Sequence, residues 1–99
     1  MAFAVLFKER ASREIDEARA WLLKHQGPAR VAQLDDDLAR SLHLLEAFPE
    51  MAALVPGSKT VRRTLLERCR YHVYYRVFRE AEQIMVICFW HKARRSPRL

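Results

Sequence analysis

Two histidines, His72 and His91, lie among arginines in the last two-fifths of a 99-residue chain. Cutting RNA through its own 2′-hydroxyl needs a base, an acid, and cations to hold the charge that builds at phosphorus. His72, His91 and Arg76 supply those groups. They sit in three stretches: Val61-Arg62-Arg63, then Arg70-Tyr71-His72-Val73-Tyr74-Tyr75-Arg76-Val77, then Phe89-Trp90-His91-Lys92-Ala93-Arg94-Arg95. The same residue types also serve binding without chemistry. Aromatic rings stack on bases and guanidiniums hold phosphates, and such a face docks an acidic peptide equally well. A solvated strand face carries similar residues, so the pattern alone leaves all three readings open. There is no Gly-rich phosphate loop, no metal-ligand cluster, and no Ser-His-Asp or Cys-His nucleophile pattern. No cofactor and no metal are therefore expected.

The charge distribution favours an anionic partner. The formal net charge is +6. Residues 1–60 hold 8 Lys/Arg against 9 Asp/Glu, whereas residues 61–99 hold 10 against 3. The second segment thus carries +7 and the first −1. Such asymmetry points to nucleic acid, an acidic peptide or an anionic protein surface.

The elements that must position these groups read as follows. Residues 3–7 form a short apolar run of strand length, and its lack of alternation predicts burial on both faces. Residues 9–25 predict a helix whose stripe is Ala11, Ile15, Ala18 and Leu22, widened by Trp21. Gly27 stops it, and Pro28 opens a second helix running to about Ala47. The stripe of that helix is Val31, Leu34, Leu38, Leu42 and Leu45, and Pro49 ends it. The short link predicts an antiparallel helical hairpin. Residues 49–60 form a loop with its turn at Pro56-Gly57.

Three strands are predicted after it, at 61–66, 71–78 and 83–90. In the second, Tyr71, Val73, Tyr75 and Val77 share one face, while His72, Tyr74, Arg76 and Phe78 are displayed on the other. In the third, Ile84, Val86, Cys88 and Trp90 alternate against Met85, Ile87 and Phe89. That strand is apolar on both faces and is expected to be central. A basic tail, His91 to Leu99, is expected to leave the sheet.

The order is β-α-α-β-β-β. It predicts a single α+β domain over residues 1–99, a helical hairpin packed on a small, mostly antiparallel sheet. Cys69 and Cys88 lack metal-ligand spacing and are expected to be reduced thiols. No apolar run approaches the roughly 20 residues that span a bilayer. The apolar start, Met1 to Phe7, lacks a basic lead-in and meets Lys8-Glu9-Arg10 at once, unlike a signal peptide. A cytoplasmic protein with no membrane partner is expected.

Arg62-Arg63, the strand Tyr71-His72-Val73-Tyr74-Tyr75-Arg76-Val77, and the ending Trp90-His91-Lys92-Ala93-Arg94-Arg95-Ser96-Pro97 together resemble the RelE/ParE toxin superfamily. The likeness is greatest to its ParE and plasmid-stabilisation branch. It covers nearly the whole chain, including the Trp21-bearing helix, the second helix ending at Phe48-Pro49, and Pro56-Gly57 before Val61-Arg62. The resemblance implies the toxin of a type II toxin–antitoxin pair, neutralised by a cognate antitoxin that also binds operator DNA. It implies one of two activities, inhibition of DNA gyrase or ribosome-dependent cleavage of messenger RNA.

Two departures bear on that choice. Position 72 is His where many RNA-cutting members have Arg, and no Tyr follows Arg94-Arg95. The ending resembles the gyrase-directed branch. On that reading Arg62, Arg63, Tyr74, Trp90, Arg94 and Arg95 bind the target, with Arg76 and His91 adding charge. On the nuclease reading His72, Arg76 and His91 are catalytic.

Overall fold

A computed structural model describes residues 2–99. It contains β1 (Ala4–Phe7), α1 (Glu9–Gln26), α2 (Pro28–Ala47), β2 (Val61–Leu66), β3 (Tyr71–Phe78) and β4 (Gln83–His91). Gly27 makes the hairpin possible. Its φ of 89° lies in the region that favours glycine, and its N–H returns to the Leu22 carbonyl at 3.0 Å, closing the last turn of α1. Pro28 then begins α2 where no intrahelical N–H is needed.

The sheet order is β1-β4-β3-β2. β4 pairs antiparallel with β3, β3 antiparallel with β2, and β1 runs parallel to β4. The expected α+β architecture is therefore present, with β4 central. The helical stripes cover one face. Ala11, Ala18, Leu22 and Leu34 pack on Leu66, Val73, Val86 and Phe89. A second cluster joins Phe3, Leu45, Tyr75 and Ile84, where the Tyr75 hydroxyl donates to the Pro49 carbonyl at 2.9 Å.

Three expectations need correction. First, β4 does not alternate regularly. Tyr74 pairs with Cys88 but Tyr75 pairs with Val86, so Ile87 is an extra residue in a bulge. The bulge reverses the phase beyond it. Ile84, Val86 and Phe89 belong to the helix-side clusters, whereas Ile87, Cys88, Met85 and Trp90 join a third cluster on the opposite face. Second, Tyr74 is not displayed. It is 2% exposed, packed with Val61, Ile87 and Cys88 beneath Val55 of the 48–60 loop. Third, β1 is an edge strand rather than one buried on both faces. Only one side of the sheet carries helices, and Leu6 and Phe7 are each about 40% exposed.

Both thiols are free. Burial raises Cys69, and burial with Glu14 nearby pushes Cys88 up to about 12, so both stay protonated at neutral pH. Among the described residues, no helix is long and apolar enough to cross a membrane.

Candidate functional site

β1 pairs with β4 only as far as Val86. The chain then turns into α1, with the Lys8 N–H donating to the Val86 carbonyl at 2.9 Å. The outer edge of β4 beyond this point has no neighbouring strand. Glu14 fills part of the gap. Its carboxylate accepts the Phe89 N–H at 3.0 Å and the Arg10 Nε–H at 3.1 Å, with its side chain 13% exposed. An acid on the polar side of an amphipathic helix thereby completes the sheet edge.

The tail does not leave the sheet freely. It folds back over Trp90. The indole Nε1–H donates to the Arg95 carbonyl at 2.6 Å, and the Arg94 guanidinium lies 3.8 Å from the indole centroid. Arg10 lies 5.7 Å from the same ring and donates to the Arg98 carbonyl. The turn after β4 is held by the Lys92 N–H on the Arg70 carbonyl at 2.8 Å and the Ala93 N–H on His91 Nδ1 at 3.0 Å. Trp90, Arg94 and Arg95 are thus gathered at one end of the sheet, where two cations sit against an indole face.

The remaining sequence-predicted residues divide between the faces. His72 pairs with Trp90 and His91 with Tyr71, and adjacent strand residues face opposite ways. His91 meets the Tyr71 ring edge-on at 5.0 Å on the helix side. His72 meets Tyr74 edge-on at 5.8 Å on the other. Arg76 and Arg63 share the His72 face, Arg63 reaching the Tyr74 hydroxyl at 3.5 Å and Arg76 the Thr60 hydroxyl at 3.5 Å. Partial burial, together with Arg63 and Lys92, holds His72 below its ordinary value, so it is neutral at pH 7. His72 and Arg76 share one face, four residues apart along β3 with Tyr74 between them, and His91 lies on the far side of the sheet.

Arg62 occupies a different position from Arg63. Its guanidinium donates to the Ala52 carbonyl at 2.7 Å and the Glu50 carbonyl at 3.3 Å, and its Nη2 lies 3.8 Å from the Glu50 carboxylate. It anchors the loop that covers Tyr74 and Tyr75. Glu50 also pairs with Arg79, whose hydrogen bond holds the Glu50 carboxyl below the usual carboxylate range.

A cleft of about 630 Å³ opens on the helix side, between α1 and the ends of β3 and β4. Its lining includes Trp21, Tyr71, Phe89, Arg70, His91 and Arg94. Trp21 is 51% exposed there, stacked on His25 at 4.4 Å. The sequence pattern had assigned Trp21 to the core stripe. Its place in a cleft depends on packing between distant segments, and no local spacing signals it.

Residues 5–96 match the profile of the ParE toxin of type II toxin–antitoxin systems, parDE. The chain belongs to the ParE toxin family. Its fold is similar to solved structures of the wider group. A chromosomal ParDE toxin–antitoxin system from Pseudomonas aeruginosa matches with a TM-score of 0.74 and 18% identity, covering 91% of this chain and 96% of that one. A mutant of the Escherichia coli toxin RelE in the free state matches with a TM-score of 0.67 and 22% identity, covering 94% and 86%. The RelBE toxin–antitoxin complex from Mycobacterium tuberculosis matches with a TM-score of 0.63 and 17% identity, covering 92% and 99%. At these identities the likeness is one of fold. No curated protein matches the sequence. As a ParE family member, the chain carries its family-like ending, Trp90 to Pro97, as a folded clasp against α1 rather than as a free tail.

Proposed function

We propose that this ParE family toxin acts by binding, that its target is DNA gyrase, and that an antitoxin neutralises it. The observation that carries this reading is the separation of His72 and His91 on opposite faces of the sheet. General acid–base cleavage needs both groups within reach of one phosphate. The residues that do converge are Trp90, Arg94, Arg95 and Arg10, the types that dominate protein interfaces. Arg63 and Arg76 add charge on the adjoining sheet face. Arg62 and Tyr74 contribute through the packing of the loop and sheet.

The antitoxin partner is supported by the toxin–antitoxin systems among the similar structures and by the +7 of residues 61–99. That charge favours an acidic segment that folds on binding, with operator DNA contacted through the antitoxin. The toxin then works in the cytoplasm.

A second reading, a ribosome-dependent messenger-RNA endonuclease, is favoured by one feature. His72 is neutral at pH 7 and shares a face with Arg76 and Arg63, which suits a general base beside phosphate-binding cations. Here His72 and Arg76 act without His91. Inducing the chain alone in bacteria, while following translation and DNA integrity, separates the readings. Filamentation with DNA breaks and intact early translation is the expected result. Prompt loss of messenger RNA supports the second reading. Full viability marks a chain kept only as an antitoxin partner.

A further inference from the structure

The cleft beside α1 is built for more than shape. Its volume of about 630 Å³ lies in the range of small-molecule sites. One wall is aromatic. Tyr71 lines it, backed by the buried Phe89 ring stacked in parallel at 4.6 Å, and Trp21 on α1 lines it too, with half its surface open and one face on His25.

The charges around this wall are unequal. Among the lining cations, Arg13 pairs with Glu17 and Arg68 with Asp37. The lining acid Glu14 is taken by Arg10 and the Phe89 N–H. After these pairings Arg30, Arg70 and Arg94 have no carboxylate partner among the described residues. Arg30 is held in place by Gln26 and Gln33 at 2.9 Å each, which pre-orients its guanidinium at the rim. Beside it, the first turn of α2 carries no acidic residue and no side-chain cap, so its positive dipole end is unopposed. Arg70 adopts φ 65°, uncommon for a side-chain-bearing residue, and its carbonyl is fixed by the Lys92 N–H.

An aromatic wall flanked by three uncompensated guanidiniums selects a ligand with a flat ring and several negative charges. We propose that this cleft binds a nucleoside phosphate, its base against Trp21 and Tyr71, and its phosphates among Arg30, Arg70 and Arg94. Stacking supplies the affinity for the base, and the guanidiniums hold the phosphate oxygens. Such a ligand would couple the state of the toxin to the nucleotide pool. This inference does not depend on which target the toxin has.

The cleft contains both tryptophans, Trp21 and Trp90, so binding is read directly by tryptophan fluorescence on the full chain. ATP, AMP and inorganic triphosphate are titrated at physiological ionic strength. Saturable quenching by ATP is expected, with AMP weaker and triphosphate weaker still. Arg70→Gly removes the guanidinium while easing the φ 65° backbone, and Trp21→Ala removes an exposed ring. Each is expected to weaken ATP by about tenfold or more while leaving the circular dichroism unchanged. Calorimetry repeats the Trp21→Ala comparison free of the altered fluorescence. A 5′-phosphorylated oligonucleotide distinguishes a strand end from a free nucleotide, binding more tightly than ATP if the strand end is the source. Absence of saturable ATP binding overturns the proposal. So does ATP binding no tighter than triphosphate, or unchanged in both variants.

Discussion

The Glu14 carboxylate on α1 accepts the Phe89 N–H of β4 at 3.0 Å, joining residues 75 positions apart where no strand continues the sheet. One hydrogen bond thereby ties the helix to the strand that leads into Trp90, His91 and the arginine tail. Arg10, the other partner of Glu14, also reaches the Arg98 carbonyl and lies over Trp90. This end of the sheet is held from α1.

Glu14→Ala is expected to destabilise the fold by about 1–3 kcal/mol, because it leaves a partly buried N–H without its acceptor. Glu14→Gln keeps an acceptor and is expected to cost less. Urea denaturation of the three chains checks the order. Equal midpoints for Glu14→Ala and the parent would show that the bond contributes nothing.

Arg94→Ala combined with Arg95→Ala is expected to abolish growth inhibition. Both side chains are exposed, and the Arg95 carbonyl that holds the Trp90 indole survives the change. Losing the Arg94–indole contact should therefore cost no more than about 1 kcal/mol of stability. Colony counts on induction, beside a thermal melt of the purified chain, check both halves.

His72 sets a pH dependence whose sign follows from its lowered value. The unfolded chain takes up the proton first as pH falls through about 6.5, the ordinary histidine value, while the folded chain still resists it. Stability is full above that point and declines as pH falls toward the folded value. Urea midpoints at neutral and mildly acidic pH should therefore differ more for the parent than for His72→Gln. Identical slopes for the two chains would contradict this.

Association with the antitoxin is expected to slow steeply as salt rises, with dissociation changing less, because charge steers encounter more than it holds the complex. Stopped-flow mixing over a salt series gives both rates.

Much of the fold was legible because the helical stripes are strict. Ala11 to Leu22 and Val31 to Leu45 point inward as their spacing requires, and the Gly27-Pro28 pair marks the hairpin. The bulge at Ile87 was not legible. Ile84 to Trp90 is apolar throughout, so a slip of one residue leaves no trace in hydrophobicity, yet it turns Cys88 and Phe89 to the reverse faces. The burial of Tyr74 was hidden for a related reason. It is covered by Val55, from a loop with no periodicity to read. The site was legible in part. The aromatic–arginine strings announced themselves, but alternation alone could not show that Glu14 and Arg10 join Trp90, or that Trp21 stands at a cleft. Those placements arise from contacts between remote segments.

The most direct test of the central claim is to titrate the purified chain into a DNA gyrase supercoiling reaction and, in parallel, into a cell-free translation reaction. Loss of supercoiling with cleaved DNA, abolished by the Arg94→Ala/Arg95→Ala chain and accompanied by undiminished translation, is the predicted result. Unimpaired supercoiling with rapid cleavage of ribosome-bound messenger RNA, lost in His72→Ala, would contradict it.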